Sequence, residues 1–334
     1  MKQTLFYART ANKVVQCRAC CHFCVIADKK FGMCKAKKNV GGRLYSLNYG
    51  KLIARRIDPI EKKPLYHFLP GSFAYSIASP GCNFHCLNCQ NSEISQIGKA
   101  GDRLPGVLAR SGDVALAALH SDCRSIAYTY TEPTVFVEFA LEIMKLARKR
   151  GLKNVWVSNG YFSNETFNAI LPHLDAINID LKFFTDKCYR KVCGASLKPI
   201  LENIERVCRS KIHVEITTLV IPGLNDNERE LGCIAEFIAG LNLNIPWHIS
   251  AFHPAYRLRA LPSTPAESLD LACQIGKSAG LHYVYAGNAV DPIKQNTYCQ
   301  ACGELLIKRD GYAISNKLAE PFCPKCGAAI AIIL

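Results

Sequence analysis

Three cysteines fall within the stretch SPGCNFHCLNCQN, residues 79–91: Cys82, Cys86 and Cys89, at spacing C-x3-C-x2-C. Cysteine thiolates hold iron–sulfur clusters, and a four-iron cubane takes four ligands. If the protein supplies three, one iron keeps an open position. A small chelating molecule can bind there, as substrate does at the open position of a catalytic zinc. The competing reading is a structural zinc knuckle, which needs a fourth ligand close by, and His85 is the local candidate. The spacing favours a cluster over a knuckle.

Two further cysteine groups flank this loop. Cys17, Cys20, Cys21, Cys24 and Cys34 crowd one segment near the N-terminus. Its expected metal ligands are Cys17, Cys20, Cys24 and Cys34, with Cys21 or His22 as substitutes, and Gly32, Gly41 and Gly42 marking turns. Zinc and a second iron–sulfur cluster suit such soft ligands equally. At the other end Cys299, Cys302, Cys323 and Cys326 form C-x2-C-x20-C-x2-C, each pair followed by glycine. The run ELLIKRDGYAI between the pairs predicts a hairpin turning at Asp310–Gly311. Four thiolates closing a tetrahedron leave no open position, so this group reads as a structural Zn2+ ribbon. A rubredoxin-like iron that delivers electrons is the alternative. Cys123, Cys188, Cys193, Cys208, Cys233 and Cys273 are scattered and read mostly as core. Cys188 and Cys193 follow INIDLK closely enough to stand near the site.

The opening MKQTLFYARTANKVV has no uninterrupted apolar run, and no stretch of about 18 apolar residues exists, so a cytoplasmic protein without a membrane span is expected. In that setting so many cysteines, 18 in all, read largely as metal ligands rather than disulfides. Residues 1–64 carry 15 Lys and Arg against 3 Asp and Glu, which is +12 of the chain's +14. A basic segment can dock nucleic acid. It can equally offset the negative charge of thiolate-bound metal sites, and that reading is preferred.

These side chains must be positioned by something. From residue 71 onward short β-branched and aromatic runs alternate with amphipathic stretches. Strands are expected over 72–79, 125–131, 154–159, 176–182, 213–221, 247–252 and 281–287; helices are expected over 134–151 and 227–241. Repeated strand–helix alternation predicts parallel βα units. The polar clusters all fall at strand ends: the cysteine loop, Thr131-Glu132-Pro133, Ser158-Asn159-Gly160, Asp180 with Lys182, Pro222 to Asp226, His253-Pro254, and Gly287-Asn288. Strand ends converging on one rim are the functional face of a (β/α) barrel. No G-x-G-x-x-G follows the first strand, as a dinucleotide-binding sheet would require. The fold expected is therefore α/β, a partial TIM-like barrel of six to seven parallel strands over residues 71–290. A Cys-rich N-terminal segment and linker precede it (1–70, with one hairpin) and a zinc-ribbon-like module follows (291–334).

The runs CNFHCLNCQN, IAYTYTEPT, WVSNGY, INIDLK, TTLVIPGLND, HISAFHPAYRL and YVYAGN resemble those of the radical S-adenosylmethionine (SAM) enzymes of the AmmeMemoRadiSam system, a group similar to the pyruvate formate-lyase activating enzymes. The resemblance covers nearly the whole chain. One departure is Asn88, where many radical SAM enzymes carry an aromatic residue before the last cysteine. The resemblance implies that Cys82, Cys86 and Cys89 hold a [4Fe-4S] cluster whose open iron binds SAM. It implies an electron donor such as reduced flavodoxin or ferredoxin, and cleavage of SAM to methionine and a 5′-deoxyadenosyl radical. Glu132 then matches the glutamate that receives the SAM amine, and Asp180 and Lys182 match an Asp-x-Lys near the SAM carboxylate. Ser158 and Asn159 would hold ribose hydroxyls or a cation, and His253 would reach carboxylate or ribose. The substrate, protein or small molecule, stays undefined.

Two other readings compete. A glycyl-radical-enzyme activating enzyme would share the chemistry, but such enzymes often carry a ferredoxin-like cysteine insert after the cluster loop, and none stands between Cys89 and Ser125 apart from the single Cys123. A non-catalytic multi-zinc protein that binds nucleic acid would need no converging rim, and is disfavoured on that ground.

Overall fold

The seven β-rich runs form seven parallel strands, each within a few residues of its expected bounds. A computed structural model describes residues 1–97, 104–288 and 292–334. The strands are β2 (Phe73–Ala78), β3 (Ser125–Tyr128), β4 (Lys153–Ser158), β5 (Ala176–Asp180), β6 (His213–Val220), β7 (Trp247–Ala251) and β8 (Val284–Gly287). They pair in chain order, each parallel to the next. Consecutive parallel order is the barrel arrangement, and a doubly wound sheet would reverse direction around a switch point. Among the described residues the two ends of the sheet are not paired to each other, so the sheet is an open, partial barrel.

Residues 54–59, expected to lie in a linker, instead add an eighth strand. Here β1 (Ala54–Pro59) runs antiparallel along the outer edge of β2, from Ala54↔Ala78 to Pro59↔Phe73. The sequence ARRIDP looks like a loop because an edge strand needs only backbone pairing, and charges with a terminal proline are typical of edges.

Between the strands, helices pack their apolar faces on the sheet. Helix α1 (Val137–Arg148) buries Val137, Phe139, Ala140, Leu141, Ile143, Met144 and Ala147, and Gly151 follows it at φ +76°, a conformation glycine adopts without penalty. Helix α2 (Glu228–Leu241) opens with the Asn227 side chain accepting from the Glu230 amide at 3.0 Å.

The N-terminal segment folds as two three-stranded sheets, Tyr7–Arg9 with Val15–Cys17 and Val25–Ile26, and Lys2–Gln3 with Arg43–Ser46 and Lys37–Val40. It is fastened to the barrel by a buried ion pair, Lys37 Nζ to Glu138 Oε2 at 2.6 Å, between the segment and α1. Removing one partner of such a pair strands a buried charge, at a cost of about 3–5 kcal/mol. At the other end, Thr297–Tyr298, Leu305–Asp310 and Ala313–Asn316 form a small antiparallel sheet, its hairpin closing at Asp310↔Ala313. The chain end docks beside the barrel: Ile333 N donates to His67 O at 2.8 Å, and Arg309, fully buried, donates to Tyr66 O at 2.8 Å. The expected boundary at residues 290–291 lies outside the described residues. Among the described residues no helix is long and apolar enough to cross a membrane.

Candidate active site

The loop after β2 carries Cys82, Cys86 and Cys89. Its shape is set by backbone bonds to distant elements. Gly81 N donates to Ile94 O at 3.0 Å, while His85 N and Leu87 N donate to Cys193 O and Val192 O, both at 2.9 Å. Gly81 itself sits at φ +104°, and a Cβ there would lie 3.1 Å from the Cys34 carbonyl, so only glycine lets the N-terminal segment approach this closely. Phe84 is buried beneath the loop, edge-on to Tyr161 at 5.3 Å. It packs with the core.

The three thiols feel one another. Burial pushes Cys82 well above the ordinary thiol value, and Glu132, Cys86 and Cys89 push it further. Burial raises Cys89 as well, against a hydrogen bond with Ser95 Oγ at 3.1 Å. The Cys193 thiol holds Cys86 below the ordinary value, against its burial. A site built of crowded thiols and a carboxylate is one that a cationic iron core suits, because metal coordination deprotonates a thiol outright. Among the described residues the loop also keeps buried polar atoms without partners: Ser79 Oγ, Asn83 Nδ2 and Asn88 Oδ1. Buried polar atoms of this kind call for a partner, a water or a ligand.

Glu132, at the end of β3, is 1% exposed. Its Oε1 accepts from Thr134 N (3.0 Å), Thr134 Oγ1 (2.6 Å) and Ser158 Oγ (3.0 Å). Among the described residues its Oε2 accepts from Asn159 N alone, at 2.9 Å, and so keeps acceptor capacity toward the site. Burial pushes this carboxyl above its ordinary value, although each of those bonds pulls it down. Asn159 extends the network to the cysteine loop, donating from Nδ2 to Asn83 Oδ1 at 2.7 Å with Cys82 Sγ 4.0 Å away. Asp180, the last residue of β5, and Lys182, just past it, form an ion pair at 2.8 Å. Burial works to lower the Lys182 ammonium, but Asp180, Cys86 and Cys193 together hold it well above its ordinary value.

The structure thus gathers Cys82, Cys86, Cys89, Glu132, Ser158, Asn159, Asp180 and Lys182 into one rim. The Ser158 hydroxyl is committed to Glu132 and to the Gly160 amide, so it positions the carboxylate. His253 lies beyond β7 and is exposed. Asn83, which sequence reasoning did not single out, is the hinge between the loop and Asn159. Nothing in its spacing marks it, since a polar residue after a cysteine is common in any turn.

The other two cysteine groups differ in form. The sulfurs of Cys299, Cys302, Cys323 and Cys326 all lie within 4.8 Å of one another, with Cys299–Cys326 at 3.6 Å and Cys302–Cys323 at 3.7 Å. Cys17, Cys20, Cys24 and Cys34 line one cavity, while Cys21 turns away to the Phe162 carbonyl at 3.2 Å.

Comparison with known proteins bears on this rim. The sequence model of the radical SAM superfamily matches residues 76–231, which span β2 to α2. An uncharacterized protein of Methanocaldococcus jannaschii is 40% identical over the whole length of both chains. The isethionate sulfite-lyase activating enzyme of Nitratidesulfovibrio vulgaris is 32% identical over 35% of this chain and 40% of its own. A radical SAM methyltransferase from Sphaerobacter thermophilus, with a crystal structure, superposes with a TM-score of 0.50 at 14% identity, covering 70% of each chain, and shares the fold.

Proposed function

This chain belongs to the radical SAM superfamily, and on that premise we propose that its rim cleaves SAM reductively at a [4Fe-4S] cluster held by Cys82, Cys86 and Cys89. When bound, a reduced cluster of this kind supplies the one electron that splits SAM into methionine and a 5′-deoxyadenosyl radical, which then takes hydrogen from a substrate. The observation that carries the reading is the three-thiol loop, with buried polar atoms unpartnered among the described residues, joined through Asn83 and Asn159 to a fully buried Glu132.

The chain's own residues then divide the work of binding SAM. Glu132 Oε2 receives the ammonium of the methionine moiety, and Ser158 and Thr134 hold the carboxylate still. Lys182, kept charged by Asp180, faces the SAM carboxylate. His253, exposed beside the rim, reaches ribose or carboxylate from the solvent side. The electron comes from a reduced flavodoxin or ferredoxin. The C-terminal quartet holds one Zn2+ as a structural staple, since 3.6–3.7 Å sulfur separations suit ligands about 2.3 Å from a single tetrahedral ion.

Within the superfamily we place the chain with the AmmeMemoRadiSam-type enzymes, because that resemblance runs along nearly its whole length. A second reading, activation of a glycyl radical enzyme, is favoured by the local match to an activating enzyme, confined to 35% of this chain.

Anaerobic reconstitution with iron and sulfide, followed by SAM and dithionite, tests the proposal. The expected result is 5′-deoxyadenosine from the wild type and none from a Cys82/Cys86/Cys89→Ala variant. Equal product from both, or none from a wild type loaded with about four irons per rim site, would overturn it.

A further inference from the structure

We infer that Cys17, Cys20, Cys24 and Cys34 hold a second four-iron cubane, not zinc, back-to-back with the rim loop.

The spacing of the sulfurs separates the two kinds of centre. One zinc with four thiolates at about 2.3 Å sets tetrahedral edges of roughly 3.8 Å. A cubane bonds each thiolate to a different corner iron, which spreads the four sulfurs to roughly 6 Å. The C-terminal quartet keeps single-ion spacing, at 3.6 and 3.7 Å. Among the described residues it is the one group of three or more ligand atoms that all fall within 4.8 Å of one another. No three of the N-terminal sulfurs meet that limit, although the four residues converge on one cavity. The rim triplet does not meet it either. By spacing, the N-terminal set resembles the rim and not the ribbon.

The four thiols line one cavity together with Ala19, Asn83 and Val135. The set is also complete, with four protein thiolates, so no corner iron is left for a small molecule. A site of that kind stores or passes an electron and does not bind substrate. The surrounding segment's +12 balance offsets the charge of about −2 that four thiolates leave on an oxidised cubane.

The cavity shares a wall with the rim. Asn83, the neighbour of Cys82, lines it, and His22 bonds Asn83 O at 2.8 Å. The Cys34 carbonyl, with Ile97 Cδ1, crowds the place a Cβ on Gly81 would take, both at 3.1 Å. The two sites are therefore separated by a single turn of the rim loop.

The test uses the full chain with Cys82, Cys86 and Cys89 replaced by alanine, so that its outcome is independent of the rim. After anaerobic reconstitution, we expect about four irons and four sulfides per chain to remain, with an S = 1/2 resonance after dithionite reduction. Adding Cys20→Ala and Cys24→Ala should remove both. The wild type should hold about eight irons, with spin–spin broadening of its reduced spectrum. Iron-free variant protein carrying two zincs per chain, or a wild type that saturates at about four irons, would overturn the inference. The wild-type count applies even if a variant fails to fold.

Discussion

At the rim, three cysteines ride on a loop that other elements hold in shape, and its polar atoms Ser79 Oγ, Asn83 Nδ2 and Asn88 Oδ1 have no partner among the described residues. At the C-terminus, four cysteines on two tight turns face inward with all their sulfurs within 4.8 Å, and two Cys–Cys contacts already close the set. The first arrangement leaves capacity for a ligand and the second leaves none. Residue type is the same in both. The difference lies in what surrounds the sulfurs: a buried carboxylate and a charged lysine at the rim, and a small apolar cluster of Leu306, Ile307, Leu318, Ile330 and Ile332 in the ribbon. A core of that size needs a staple to stay folded.

The largest expected effect comes from exchanging the roles. Cys86→Ala should lower 5′-deoxyadenosine formation by about 10³-fold or more, because a missing ligand removes the cluster. Cys302→Ala should leave SAM cleavage within about threefold while releasing one metal ion and unfolding the ribbon, since structural zinc contributes about 10–16 kcal/mol to such modules. Metal content and product measured side by side decide the matter. A Cys302→Ala protein that keeps its metal but loses SAM cleavage would break the contrast.

A smaller effect is expected where the ribbon meets the barrel. His67 is fully buried, with Nδ1 2.8 Å from Ala331 O on the ribbon side and Nε2 2.6 Å from the Tyr285 hydroxyl on β8. Burial pushes its imidazole down to about 4. The unfolded chain therefore binds a proton between about pH 6.5 and 4 that the folded chain refuses. Stability is full above about pH 6.5 and is lost as pH falls toward 4, by up to about 3 kcal/mol. Thermal unfolding from pH 7.5 to 4 should show that slope, and His67→Gln should flatten it. An unchanged slope in the variant would assign the acid sensitivity elsewhere.

The contrast between the two sites was partly legible in the amino-acid sequence. Short β-branched runs place β2 to β8 because buried parallel strands have few other ways to be written, and the cysteine spacings separate an open triplet from a closed quartet. Three features were not legible. The strand β1 escapes detection because ARRIDP pairs only through its backbone. The proximity of Cys193 to Cys86 joins residues more than a hundred positions apart, and Cys193 closes the π-helical turn Tyr189–Cys193. The role of Asn83 depends on which side chain the next strand end brings to it, and no local pattern encodes that.

The smallest effect tests what makes the rim a binding site. Glu132→Gln keeps the size of the side chain and one oxygen for Thr134 and Ser158. Its amide nitrogen must then face Asn159 N, so two donors meet where a donor and an acceptor met. An unsatisfied buried donor costs about 1–3 kcal/mol. The variant also offers no charge to the SAM ammonium, and a charge-assisted bond is about twice as strong as a neutral one. We expect the Kd for SAM to rise about 10- to 30-fold, which is about 1.4–2 kcal/mol, with iron content and ribbon metal unchanged. Calorimetric titration of SAM into the reconstituted variant reads this directly. Unaltered affinity would mean that Glu132 props up the Asn159–Asn83 contact without touching the ligand, and the division of labour at the rim would have to be redrawn around Lys182.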